Sequence, residues 1–210
     1  MKRICLVICI ASLFALSAFA QNDNKQTTSP PAKGSYEELV AKLKNGDTKI
    51  DYRELRISAS KRPGSAEVSN AQFLAMSKAF KDENPKELAR LAEAALAVNY
   101  ADTYSHMYAS AAYLDLNQKM QADLHKIVHT ELFNSMMKGK DGKTASTAFT
   151  VVNDREALLV LSKIGLKPTD KDSQTAFKGG RIYYIIPAID MKTSVMVEVY
   201  FYYEIPPPTS

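Results

Sequence analysis

The chain has no tryptophan, and both of its cysteines, Cys5 and Cys9, fall within the first ten of 210 residues. Charge of one sign is not in excess: 27 Lys and Arg face 23 Asp and Glu, a formal net charge of +4. Long apolar runs are missing too, apart from residues 4–20. What is present suits folding. The 46% hydrophobic content, with 11 Tyr and 8 Phe, excludes a chain disordered throughout. The length fits one globular domain or a small pair.

The one apolar run reads as an address. Met1-Lys2-Arg3 is a positive start, residues 4–17 are almost wholly apolar, and Ala18-Phe19-Ala20 offers small residues ahead of polar Gln21. That three-part pattern predicts a signal peptide over 1–20, cleaved between Ala20 and Gln21, and a protein exported to the periplasm or beyond. A retained anchor needs about 20 apolar residues, so stable membrane insertion after cleavage is not expected. Cleavage removes both cysteines, and with them any disulfide, thiolate metal site or cysteine nucleophile. It also takes Lys and Arg from 27 to 25 against 23 acids, leaving +2 and no basic stripe for nucleic acid.

Residues 21–34 (QNDNKQTTSPPAKG) hold no large apolar side chain and read as a disordered linker. Helical signals fill 35–138. Ser35 with Glu38, and Asp51 with Glu54, have capping-box spacing, and Asn45-Gly46 stops the first helix. Lys61-Arg62-Pro63-Gly64 is a loop. Asn70 is placed as a cap for a helix with Phe73, Leu74, Ser77 and Phe80 on its inner side. Asn84-Pro85 and Asp102 open the next two helices. A longer one follows Asn117, with Leu124, Ile127, Val128, Leu132 and Met136 inward and Gly139 at its end.

Beyond Gly139 the pattern changes to a small α+β region over 139–206, packed on the helices. Residues 147–152, 181–186 and 194–203 read as strands, the last alternating Val195, Val197, Val199, Phe201 and Tyr203 against Met196, Glu198, Tyr200 and Tyr202. Asp154 is placed as the cap of a short helix closed by Gly165, and 190–193 as a hairpin connection. The expected fold class is therefore α+β: an antiparallel helical array, then a sheet of three or four mostly antiparallel strands with one short helix.

The stretch from Ala94 to Asp102 (AALAVNYAD) resembles the junction between tetratricopeptide repeats, and Ala109, Ala111-Ala112-Tyr113 and Leu116 resemble the small-residue packing of a repeat helix. Tyr100 stands where those repeats usually have proline. The likeness covers about one and a half repeats of 34 residues and implies stacked helix pairs. Over residues 35–205 the chain also resembles a family of exported bacterial proteins common in the Bacteroidetes, catalogued as domain of unknown function four-nine-one-nine. Tyr36-Glu37-Glu38-Leu39-Val40, Asp51-Tyr52-Arg53-Glu54-Leu55-Arg56, Asp141-Gly142-Lys143-Thr144, and Leu158 through Gly165-Leu166 carry that likeness. It implies an exported, tetratricopeptide-like protein with a small β part and carries over no catalytic residue.

Chemistry candidates are few. His125 and His129 share a helix face, and His106 on the preceding helix can lie opposite, so three imidazoles can converge as zinc ligands. The metalloprotease pattern needs Glu after the first His, where Lys126 stands, so no metal residue is assigned. Gly142-Lys143-Thr144 mimics a phosphate-loop ending, but Met137 holds the first glycine's place and helix precedes strand. Tyr100, Tyr104 and Tyr108 recur every four residues and read as core between apolar helices, although such stripes also stack sugars or peptides. The run Tyr200 to Tyr203 reads as cover for the helices, with an exposed share free to pair with a partner strand. Asp51 to Arg56 reads as a solvated face.

No cofactor is implied. The expected function is a non-enzymatic adaptor that binds another envelope or secreted protein. The alternatives are a hydrolase acting on cell-wall or dietary polymers, and a structural subunit pairing through the C-terminal strand.

Overall fold

Caps open most of the helices. Ser35 Oγ accepts the Glu38 amide at the start of α1 (Tyr36–Lys44), and Asp51 does the same for Glu54 in α2 (Tyr52–Ser60). Asn84 caps α4 (Pro85–Val98), whose proline sits in the first turn where no amide bond is lost. Asp102 caps α5 (Thr103–Asp115). Between and after them run α3 (Asn70–Lys81) and α6 (Lys119–Met137). The structure, a computed structural model, describes residues 34–62, 68 and 70–205, all within the compact unit Pro31–Ser210. The expected signal peptide, its Ala20/Gln21 cleavage point, most of the linker, Pro63-Gly64 and the final prolines lie outside the described residues.

From α3 to α6 each helix packs on the next across connections of only three or four residues, which makes neighbours antiparallel. Small residues line the seams: Ala92, Ala95, Ala109 and Ala112 are fully buried among Leu88, Leu96, Val128 and Leu132.

Two inward faces differ from expectation. In α3 the buried residues are Met76 and Ala79, while Leu74 and Phe80 are exposed and Phe73 is half-buried. The helix begins at Asn70 itself, whose Oδ1 accepts from Arg155 instead of serving as the expected cap. In α6 Ile127 is exposed and His125 takes an inward place beside Val128, Leu132 and Met136. A buried imidazole with bonding partners outcompetes an aliphatic group one turn-step away, because the neighbouring helix offers acceptors there.

The α+β region is built on a five-stranded mixed sheet. β1 (Phe149–Val151) follows a 3-10 turn at Ala145–Thr147, so the strand is shorter than the expected 147–152. Helix α7 (Asp154–Lys163) is capped by Asn153, which accepts the Glu156 amide; Asp154 is its first residue, not its cap. Two short strands escaped the sequence pattern, β2 (Leu166–Pro168), three residues long and mostly half-buried, and β3 (Gln174–Lys178), largely exposed.

β4 (Arg181–Asp190) continues past the expected end through Pro187. Pro187 O accepts from the Thr169 amide at 3.0 Å, on the side where the neighbouring chain has left β2, so its missing N–H costs no ladder bond. β5 (Met196–Tyr203) pairs antiparallel with β4 and parallel with β1, Phe149 opposite Phe201. The sheet order is β1-β5-β4-β2, with β3 also on β4. Val195, expected inward, precedes the strand and is exposed, and Val197 is half-buried, but the expected alternation holds beyond them: Val199, Phe201 and Tyr203 are buried. They face α7 and the end of α6 in a second core that includes Met136, Val160 and Leu161.

Candidate functional site

The three histidines do not gather. His106 and His125 meet, Nδ1 to Nδ1 at 2.9 Å, both buried between α5 and α6. His106 Nε2 lies 2.8 Å from the Tyr100 carbonyl, an acceptor, so that nitrogen carries the proton. Burial, and next His125, hold His106 well down from its ordinary range, to about 3, so the ring is neutral and its Nδ1 accepts. His125 therefore donates to it. The other His125 nitrogen lies 3.2 Å from Glu93 Oε1, which also accepts from Tyr113 Oη at 3.0 Å. Glu93 is held below the usual carboxylate range, first by its bond to His125. His129 points elsewhere, with Nδ1 3.0 Å from the Thr103 carbonyl. Among the described residues no group of three or more His, Cys, Asp or Glu is placed to hold a metal ion.

The tyrosine stripe is mostly core. Tyr100 and Tyr108 are buried, and Tyr104 is half-buried with its ring edge-on to Phe73, 5.2 Å between centroids. Gly142 serves packing, not phosphate: its amide donates to Thr147 O at 2.9 Å and its carbonyl accepts from Tyr200 at 2.7 Å. Of the C-terminal tyrosines, Tyr203 is buried and donates to Asp154 Oδ1 at 2.6 Å, while Tyr200 and Tyr202 are half-buried on the opposite face.

Tyr104 and Tyr203 line a cleft of about 250 Å³. Its walls come from the end of α2, the starts of α5 and α7, and the end of β5, where Ala59, Ala101, Leu159 and Ile205 give an apolar lining. Its polar residues include Arg56, Asp102, Thr103, Asn153, Asp154, Arg155 and Glu156.

Asp51 to Arg56 was expected to be solvated, and Arg56 overturns that. It is 1% exposed, with Nε 3.1 Å from Glu156 Oε1, Nη1 2.9 Å from Ser135 Oγ and Nη2 2.9 Å from Thr150 O. Glu156 Oε2 accepts the Val152 amide at 2.9 Å. Burial pushes the Glu156 carboxyl up against the pull of Arg56 and Val152. A buried ion pair is tolerated where bonds satisfy both partners, and here they do.

The remaining acids are also engaged. Asp102 Oδ1 accepts the Ser105 amide at 2.7 Å, and Asp154 accepts from Tyr203, whose hydroxyl burial pushes upward. Asn153 accepts the Glu156 amide at 2.9 Å. The residue pattern did not single out these groups as a site. Asn153 and Glu156 have the capping spacing, which was read one residue late. Arg56 carried no signal beyond sitting next to buried Leu55. A second, more open depression of about 620 Å³ lies between α2 and α6, lined by Tyr52, Arg53, Glu131, Lys138 and Thr150 among others.

No protein-family model, curated protein or solved structure matches this chain.

Proposed function

We propose that the protein is an exported, non-enzymatic adaptor of the cell envelope, whose β3–β4 arm docks on another envelope or secreted protein. One observation carries the docking part. Among the described residues β3 pairs with β4 alone, and four of its five residues are exposed. Phe177 at 77% exposure and Ile182 at 51% stand directly opposite each other across the β3–β4 ladder. An unpaired strand edge beside exposed apolar side chains suits addition of a partner strand.

Export rests on the pattern of residues 1–20, and an adaptor role also draws on the likeness to tetratricopeptide repeats and to domain of unknown function four-nine-one-nine. The near balance of charge disfavours nucleic acid as the partner. Among the described residues no helix is long and apolar enough to cross a membrane. No cofactor enters this reading.

The test is cross-linked capture from envelope extract with the native protein and a Phe177→Ser/Ile182→Ser variant. Both side chains are exposed, so the variant keeps its melting temperature; a partner held by the native arm is lost from the variant. Equal capture by both proteins removes the arm from the reading. The cleft is the observation that favours a hydrolase instead. Its acids already serve caps and ion pairs, which supports binding over catalysis. Release of fragments from peptidoglycan or a polysaccharide, abolished by Asp102→Asn, overturns the non-enzymatic reading.

A further inference from the structure

The outer side of β3 is an open edge. Among the described residues its backbone bonds only within the ladder to β4, and no other backbone bond involves residues 174–178. No proline, bulge or mid-strand charge guards it, the usual means by which exposed edges are kept from pairing. Gly179 and Gly180, with φ +59° and +76°, close a two-residue turn that holds β3 in register with β4.

Charge is divided between the two ends of this edge. Asp172 lies two places before the strand, Lys178 is its last residue, and Arg181 on β4 stands directly opposite Lys178. All three are exposed. Asp172 and Lys178 have no ion pair or hydrogen bond among the described residues, and Arg181 lies over the Tyr202 ring, 5.1 Å from its centroid. Lys171, which stands between Asp170 and Asp172, reaches Met196 Sδ at 3.6 Å and leaves that end acidic. Two cations opposite each other weaken a ladder unless an acid comes near.

An occupant must therefore offer an open strand edge, a base beside Asp172, an acid beside Lys178, and apolar cover on the face that Thr175 and Phe177 share with Ile182 and Tyr184. A second copy of β3, run antiparallel, offers all of these. With Ala176 opposite its own counterpart, all five residues pair. Phe177 then stands opposite the second copy's Thr175, and Lys178 opposite the second copy's Gln174, one diagonal step from its Asp172. Diagonal neighbours about 7–8 Å apart are within reach of long and aromatic side chains. So each Lys178 meets an Asp172, and the two Phe177 rings meet across the axis. A two-fold arrangement makes every such contact twice.

We propose that β3 pairs with β3 of a second copy, joining the two sheets into one across a two-fold axis. This rests on the docking role of the β3–β4 arm and names what occupies its edge. Phe177 and Ile182 of both copies then form one apolar face, which is what a further envelope protein meets. Five residues a side is well short of the about 20–30 that each side of a stable interface supplies, so the dimer is a reversible one.

The test is sedimentation velocity of the native protein over a concentration series, with hydrogen exchange at both ends of the series. The mass is expected to rise from monomer to dimer, and amides within 174–178 to exchange more slowly as it does. Asp172→Lys or Lys178→Asp alone is expected to weaken association about tenfold, since each reversal acts twice in the dimer. The double reversal, Asp172→Lys with Lys178→Asp, is expected to return it to within about threefold of native, because each altered end again meets its opposite. All three residue changes are at exposed positions, and an unchanged melting temperature shows that the fold is intact. Dimers whose β3 amides stay unprotected, or a double variant no better than the single ones, overturn the proposal. A native protein that stays monomeric overturns it too: the docking role of the arm survives if envelope capture still needs Phe177 and Ile182, and falls with it if capture does not.

Discussion

The helical array and the α+β region hold their buried polar groups together over different distances along the chain. Within the array the ties between consecutive helices are local, His106 meeting the Tyr100 carbonyl six residues away and His125 nineteen away, while the Tyr100 amide reaches Tyr36 Oη across 64 and Arg56 reaches Ser135 across 79. Between the regions they are long. Arg56 reaches Glu156 across 100 positions and Thr150 across 94, and Arg53 pairs with Glu204 across 151. From α3 to α6 consecutive helices make each other's surroundings, whereas α1 and α2 are tied in by longer reaches. The sheet is docked by one buried guanidinium on α2 and the apolar contacts around it. The array is a self-consistent stack, and the α+β region depends on a joint.

Breaking that joint is expected to have the largest effect. Arg56→Met removes the cation and leaves Glu156 buried and uncompensated, a loss of about 3–5 kcal/mol in urea denaturation. Adding Glu156→Gln removes the orphaned charge and is expected to recover part of the loss. A single-variant cost below about 1 kcal/mol would place the joint in the apolar contacts instead.

A second substitution probes packing inside the α+β region. Gly142 has φ +71°, and a Cβ there would lie 2.8 Å from Phe149 Cδ2 and 3.0 Å from Val199 Cγ1. Gly142→Ala thus combines backbone strain with overpacking, about 2–4 kcal/mol in all. Gly139→Ala supplies the control. It has nearly the same φ, +70°, but open space around it, so only the strain of about 1 kcal/mol remains. Equal losses in the two variants would mean that contact with Phe149 adds nothing.

The same contrast explains what the sequence made legible. Helix starts were readable because caps act over three residues, as at Ser35, Asp51, Asn84 and Asp102. The order of helices before strands, and the alternation in β5, followed from periodicity. The α3 face was not readable: Leu74 and Phe80 are more apolar than the Ala79 that is buried, and only the neighbouring helices decide which side faces in. β2 is too short to show a period, and β3 is short and mostly polar. The cleft was least legible of all. Arg56, Thr103 and the Arg155-Glu156 pair lie far apart in sequence, and nothing links the three places until the fold brings them together.

The remaining expected effect lies in the array, is absent at neutral pH and grows as pH falls. His106 is neutral in the fold, held to about 3 chiefly by burial and then by His125, against the Tyr100 carbonyl and Glu93, which pull the other way. His129 adds a weak push in the same direction as His125. The unfolded chain takes up a proton at this position as pH falls through about 6.5, whereas the native chain stays unprotonated until about 3. Stability from this group is therefore fully present above pH 6.5 and drains as pH falls below it, by up to about 1.4 kcal/mol per pH unit. Urea denaturation at successive pH values should show that slope in the native protein and a shallower one in His106→Gln, which keeps a donor for Tyr100 without a titrating ring. Ring-proton shifts give a direct check. If His106 titrates near 6.5 in the folded protein, its burial carries no such linkage, and the local polar chain tolerates charge as readily as the long-range joint does.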